Sequence, residues 1–168
     1  MLMLFITLAA SAQTGDVTHV HDPCIIKCGD YYYIYSTGDR IAIRRSPDLT
    51  FWHFMDKVFE DIPAWGEREV PGVSNIWAPD IFYNEGICYL YYSLSTFGSN
   101  RSCIGLATNT TLDPADPNYK WLDKGKVSDE CKAKNRENGH VEIGFILDQS
   151  TFCICAIANL NKFQASSL

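Results

Sequence analysis

The sequence predicts an all-β fold of the β-propeller type, made from a repeated unit of about four short strands. The segments DPCIIKCGDYYYIYSTG, which begins at Asp22, and PDIFYNEGICYLYYSLS, which contains Asp80, share one pattern. A weaker third copy, VEIGFILDQSTFCICAIAN, follows near Glu142, so the copies are spaced by about 60 residues. No segment shows a convincing helical pattern, and the repeat therefore carries the fold prediction.

Each unit is predicted to open with a β-hairpin. Apolar and aromatic residues alternate on either side of short turns at residues 29–30, 85–86 and 148–150, and these turns contain the Gly-Asp, Glu-Gly and Asp-Gln-Ser sequences. A third strand follows in the first two units, as RIAIRRS and CIGLATN. The tryptophan-containing segments DLTFWHF and NYKWLDKGKV then supply an outer fourth strand.

The same pattern divides the chain into blades. We place the first blade at about 17–60, the second at about 75–128 and an incomplete third at about 139–168. Residues 1–12 read as a signal peptide, with an apolar core that ends in Ala-Ser-Ala, which leaves 13–168 as a partial catalytic domain. The signal peptide predicts that the protein is exported and is secreted or periplasmic. A buried apolar strand is the alternative interpretation of residues 1–12.

Composition sets the class of protein and excludes some partners. The 168 residues are 20% charged and 46% hydrophobic, which is the balance of one globular domain. The net charge is −6 and no run of lysine or arginine occurs, which argues against nucleic acid and membrane surfaces as partners. The seven cysteines are odd in number and form no zinc-like pattern with histidine, so we expect small buried thiols.

Three carboxyl groups stand at nearly matching places in the repeats, namely Asp22, Asp80 and Glu142. The first strand of each propeller blade lies nearest the axis, so these groups are predicted to meet at one mouth of the channel. Facing carboxyl groups are what glycoside hydrolysis needs, and Trp77 and Phe97 are aromatic candidates for stacking on sugar faces. Taken singly, each of these residues would more often be structural, since aspartate is common at turns.

The motifs also carry a family resemblance. VHDPCIIKCGDYYYIYSTG, NIWAPDI, YLYYSLSTFGSNRSCIGLATNTTLDP and the W.D.G.V pattern of residues 121–127 resemble the N-terminal half of glycoside hydrolase family 43. Within that family they look most like α-1,5-L-arabinanases, and the resemblance runs from about residue 17 to 130. It implies a five-bladed β-propeller that cleaves arabinan of plant cell walls with inversion, through an aspartate base, a second aspartate and a glutamate acid.

By motif, Asp22 in VHDP matches the general base of the family. Glu142 falls on the second aspartate, a departure that lengthens the side chain by one methylene and puts Ile143 where the family has proline. The cleft-bordering segments suggest Trp77, Asp80, Phe97 and Asn100 as sugar contacts. No organic cofactor is implied, and the family's axial metal ion would be held by residues that this chain lacks.

The resemblance further implies a truncated chain. About two and a half blades are present, and the glutamate acid would belong to a fourth unit. A frameshift, an early stop or a fragmentary gene would explain the short third copy and the polar segment at 131–141. We expect such an open propeller to be prone to aggregation or to need a partner. Two alternatives stay open: a family 43 arabinofuranosidase or β-xylosidase, and a non-catalytic or vestigial carbohydrate-binding fragment.

Overall fold

The computed structural model describes residues 12–96, 101–129, 144–148 and 151–155. The predicted signal peptide lies almost wholly outside these residues and stays a prediction. The elements in chain order are β1 (Thr14–Gly15), β2 (His21–Cys28), β3 (Tyr31–Thr37), β4 (Ala42–Ser46), β5 (Phe51–Lys57), α1 (Ala64–Glu69), β6 (Ile76–Asn84), β7 (Ile87–Ser95), β8 (Ser102–Asn109), β9 (Leu122–Asp129), β10 (Gly144–Asp148) and β11 (Thr151–Cys155).

The strands form antiparallel meanders, as the repeat predicted. The second sheet has the order β6-β7-β8-β9, and the first has the order β1-β5-β4-β3-β2. In the first sheet the short strand β1 adds in parallel to the outer edge of β5, which the four-strand pattern did not predict. Strands β10 and β11 pair as the predicted third hairpin. The described chain is thus almost entirely β.

The helix α1 contradicts the expectation that no helix is present. It follows Pro63, whose extended backbone precedes the first turn, and it ends at Glu69, with Val70 as the capping residue. Six residues make about one and a half helical turns, too few to produce an amphipathic period that a reader of the sequence could detect. No helix in the described residues is long and apolar enough to cross a membrane.

The two predicted turns that contain glycine have the backbone that tight hairpins need. Glu85 and Gly86 have φ of 48° and 83°, the pair of positive values expected of a type I′ turn. Gly29 has a φ of 57° at the first central position of the other turn. Glycine adopts positive φ without steric cost, which explains its place in both turns.

The core lies between the first and second sheets, where β2 and β3 pack against β6. Along β2, Cys24 and Ile26 face this core while Ile25 between them is 53% exposed. Aromatic and aliphatic side chains of both sheets fill the interface, among them Tyr33, Tyr35, Ile81, Leu90, Tyr92 and Leu94. Of the cysteines, Cys88 and Cys103 are buried, as expected of small apolar side chains, and Cys24 and Cys28 are half-buried free thiols.

Candidate active site

Asp22 lies in a β-bulge near the start of β2. The pairing of β2 with β3 runs from His21 opposite Thr37 directly to Cys24 opposite Tyr35, so two residues of β2 are left out of the ladder. Asp22 has a φ of 46°, a left-handed conformation that is unfavourable for a residue with a side chain. Bulges re-aim side chains, and strain of this kind concentrates at functional sites.

The carboxylate of Asp22 is held on one side only. Its Oδ2 accepts a hydrogen bond from the Thr37 hydroxyl at 2.8 Å and lies 2.8 Å from Nδ1 of His21. Among the described residues no hydrogen bond reaches Oδ1. The side chain is 16% exposed, so the group is sheltered but open to water. A carboxylate with one fixed oxygen and one open oxygen can accept a proton from a positioned water molecule.

A second bulge in the next sheet matches the first. Strand β6 pairs with β7 at Trp77 opposite Ser93 and then at Asp80 opposite Tyr91. Ala78, inside this bulge, has a φ of 45° and is followed by a proline, as Asp22 is. The Ala78 N–H donates to Oγ1 of Thr37 at 2.6 Å, which ties the two bulges together.

The register corrects one prediction. Asp22 matches Ala78, whereas Asp80 matches Cys24, so Asp22 and Asp80, predicted at nearly matching positions, are two residues out of register. The prolines at 23 and 79 mark the true repeat position, because each follows the bulge residue with positive φ. The shared aspartate was the misleading signal.

Of the other predicted site residues, Trp77 and Asp80 are among the residues that the structure describes. Trp77 is half-buried and occupies the position that His21 has in the first sheet, just before the bulge. Asp80 is half-buried opposite Tyr91, and burial raises the pKa of its carboxyl group. Phe97, Asn100 and Glu142 lie outside the described residues. The approach of Glu142 to Asp22 therefore stays a prediction.

Thr37 and Ala78 are the residues that sequence reasoning missed. Counting back from the predicted turn at 29–30 places Thr37 opposite Asp22 on a regular hairpin, so one signal was available. The approach of Ala78 joins two sheets and has no such local signal. Among the residues that the structure describes, no three His, Cys, Asp or Glu side chains could hold a metal ion, so we assign no metal ligand and no step to the axial metal ion.

Comparison with known proteins shows which family the chain belongs to. The family model described as Glycosyl hydrolases family 43 matches residues 17–139. The chain belongs to glycoside hydrolase family 43. This family 43 chain is 41% identical over 139 residues to the extracellular exo-α-(1→5)-L-arabinofuranosidase ArbA of Cellvibrio japonicus, which covers 82% of this chain and 39% of the relative. It is 36% identical over 134 residues to the extracellular endo-α-(1→5)-L-arabinanase 1 of Bacillus subtilis, covering 77% and 40%.

The solved structures agree with the family. The α-L-arabinanase of Cellvibrio cellulosa complexed with arabinohexaose has a TM-score of 0.65 and 43% identity, over 69% of this chain and 37% of that one. Structural neighbours of the family 43 chain are five-bladed β-propellers, so its predicted fold class is confirmed. The chain spans about 40% of the length of the relatives it matches.

Proposed function

We propose that this chain contributes to an inverting glycoside hydrolase that cleaves α-1,5-linked L-arabinofuranosyl bonds of arabinan, with Asp22 as its general base. The observation that carries the proposal is the Asp22 carboxylate, whose Oδ2 accepts the Thr37 hydrogen bond while Oδ1 accepts none among the described residues, in a side chain that is 16% exposed. The relatives named for arabinan cleavage supply the substrate class. Arabinohexaose bound to a similar structure supports an arabino-oligosaccharide ligand.

In this scheme the open oxygen of Asp22 removes a proton from the attacking water. A second carboxyl group, about 6.5–9.5 Å away in inverting enzymes, protonates the leaving sugar oxygen. Trp77, placed one residue before the second bulge, is our candidate for stacking on a sugar face. Asp80, Phe97 and Asn100 stay candidate contacts. Glu142 stays the candidate for the family's second aspartate, which orients the site and tunes its pKa values, and the glutamate acid would belong to a fourth unit.

The test is hydrolysis of linear arabinan by a full-length protein that carries this chain together with its general acid, and by the Asp22→Asn variant of that protein. Loss of the base is expected to lower kcat by about 10²- to 10⁴-fold, because the amide cannot take a proton from water. Asp30→Asn makes the same chemical change at an exposed hairpin turn and is expected to leave the rate unchanged. Normal activity in Asp22→Asn would show that another group is the base.

Product analysis on the same substrate separates two modes of cleavage, since both an exo-acting and an endo-acting relative match the chain. A single small product from the first minutes indicates attack at chain ends, and a ladder of oligosaccharides indicates internal attack. We also propose that the protein is secreted or periplasmic, supported by the relatives named as extracellular. Recovery of the protein only from the cytoplasmic fraction of its cells would contradict this.

A further inference from the structure

We propose that Thr37 is a positioning residue that fixes the orientation of the Asp22 carboxylate by relaying a hydrogen bond from the backbone of the neighbouring sheet. The inference rests on the proposed function of Asp22 and adds to it a residue that the family comparison does not assign. Thr37 is the last residue of β3, and its hydroxyl lies between the two bulges.

The direction of the relay follows from the atoms that meet at Oγ1. A threonine hydroxyl has one proton to donate and two lone pairs to accept with. The Ala78 N–H, 2.6 Å away, can only donate, so it occupies a lone pair of Thr37. The hydroxyl proton is then directed to Oδ2 of Asp22 at 2.8 Å, where an ionised carboxylate accepts it.

The consequence is that Oδ2 is occupied by this hydrogen bond, which leaves Oδ1 as the oxygen that would accept the proton of the attacking water. Nδ1 of His21 lies near the same Oδ2, but the His21 side chain is 65% exposed, so water competes with this interaction. Thr37 is half-buried and β-branched, which restricts its χ1 rotamers and makes its hydrogen bond the firmer one. The strained backbone of Ala78, with a φ of 45°, is what aims the N–H at Thr37.

The first test measures whether a change at Asp22 affects the Ala78 amide through the Thr37 hydroxyl, and it needs no enzyme activity. The amide resonance of Ala78 is recorded by ¹⁵N NMR in the wild-type chain, in Asp22→Ala, in Thr37→Val and in the double variant. If the hydroxyl carries the coupling, Asp22→Ala shifts the Ala78 resonance when Thr37 is present and leaves it in place when valine replaces Thr37. Thr37→Ser keeps the hydroxyl and is expected to restore the response.

A merely structural Thr37 would give a different result. Equal shifts of Ala78 on Asp22→Ala with threonine and with valine at position 37 would overturn the proposal. If Thr37→Val does not fold, Thr37→Ala removes the same hydroxyl with a smaller side chain and answers the same question. Thr108→Val, the same change on β8 of the second sheet, is the matched control and is expected to leave the coupling intact.

The second test is kinetic and uses linear arabinan. Thr37→Val is expected to lower kcat by about 10- to 100-fold with little change in KM, because the base is misplaced rather than removed. Thr37→Ser is expected to recover most of the rate. An unchanged kcat in Thr37→Val would overturn the positioning role. If the wild-type full-length protein releases no sugar, the proposed function fails while the NMR comparison still decides the relay.

Discussion

Removal of the Asp123 carboxylate is expected to destabilise the second sheet strongly. This carboxylate accepts hydrogen bonds from the hydroxyl of Tyr92 at 2.7 Å and from the indole N–H of Trp65 at 2.8 Å. Tyr92 is only 1% exposed, so in Asp123→Ala its hydroxyl would stay buried without this acceptor, at a cost of about 1–3 kcal/mol. The exposed hydrogen bond from Trp65 adds about 0.5–1.5 kcal/mol, for a total of about 1.5–4.5 kcal/mol.

Equilibrium unfolding in urea, followed by tryptophan fluorescence, measures this loss. The control is Tyr92→Phe, alone and combined with Asp123→Ala, because phenylalanine leaves no hydroxyl to be stranded. The double variant is expected to lose less stability than the two single losses together, by about 1 kcal/mol or more, since the two residues act as a pair. An Asp123→Ala protein within about 0.5 kcal/mol of the wild type would refute the reasoning.

Three further results are expected. Gly105→Ala should cost about 1–3 kcal/mol in urea unfolding, because a Cβ at this position would overlap the ring of Tyr92; an unchanged midpoint would contradict this packing. Asp80→Asn should raise the free energy of unfolding at neutral pH and make it less dependent on pH. Burial raises the pKa of Asp80, so the wild-type chain is more stable when this carboxyl group is protonated, and it loses that stability as pH rises through the raised pKa. A lower free energy of unfolding for Asp80→Asn at neutral pH would contradict this. Burial raises the pKa of Cys24 to about 12 and of Cys88 to about 11, so both thiols should resist a thiol reagent at about pH 8. The free energy of unfolding should fall as pH rises above about 9, and rapid labelling of Cys24 or Cys88 in the folded chain would contradict this.

Much of the fold could be predicted because its signals are local. Alternating side chains and the Gly-containing turns at 29–30 and 85–86 place both hairpins, and the sheets follow from them. The helix α1 escaped prediction because six residues give too weak a periodic signal. The strand β1 escaped because two residues pair only through the outer edge of another strand.

The candidate site also has one part that the sequence predicted and another that only the tertiary structure showed. The sequence by itself determined that Asp22 precedes a proline at the head of a strand, and the resemblance to the family motif predicted that it is the general base. Only the tertiary structure decided that Ala78, rather than Asp80, is its counterpart, because a bulge shifts the pairing and the shift is invisible to counting. The contact of Ala78 with Thr37 spans two sheets and 41 residues of chain, so packing alone could bring those atoms together and orient the carboxylate of Asp22.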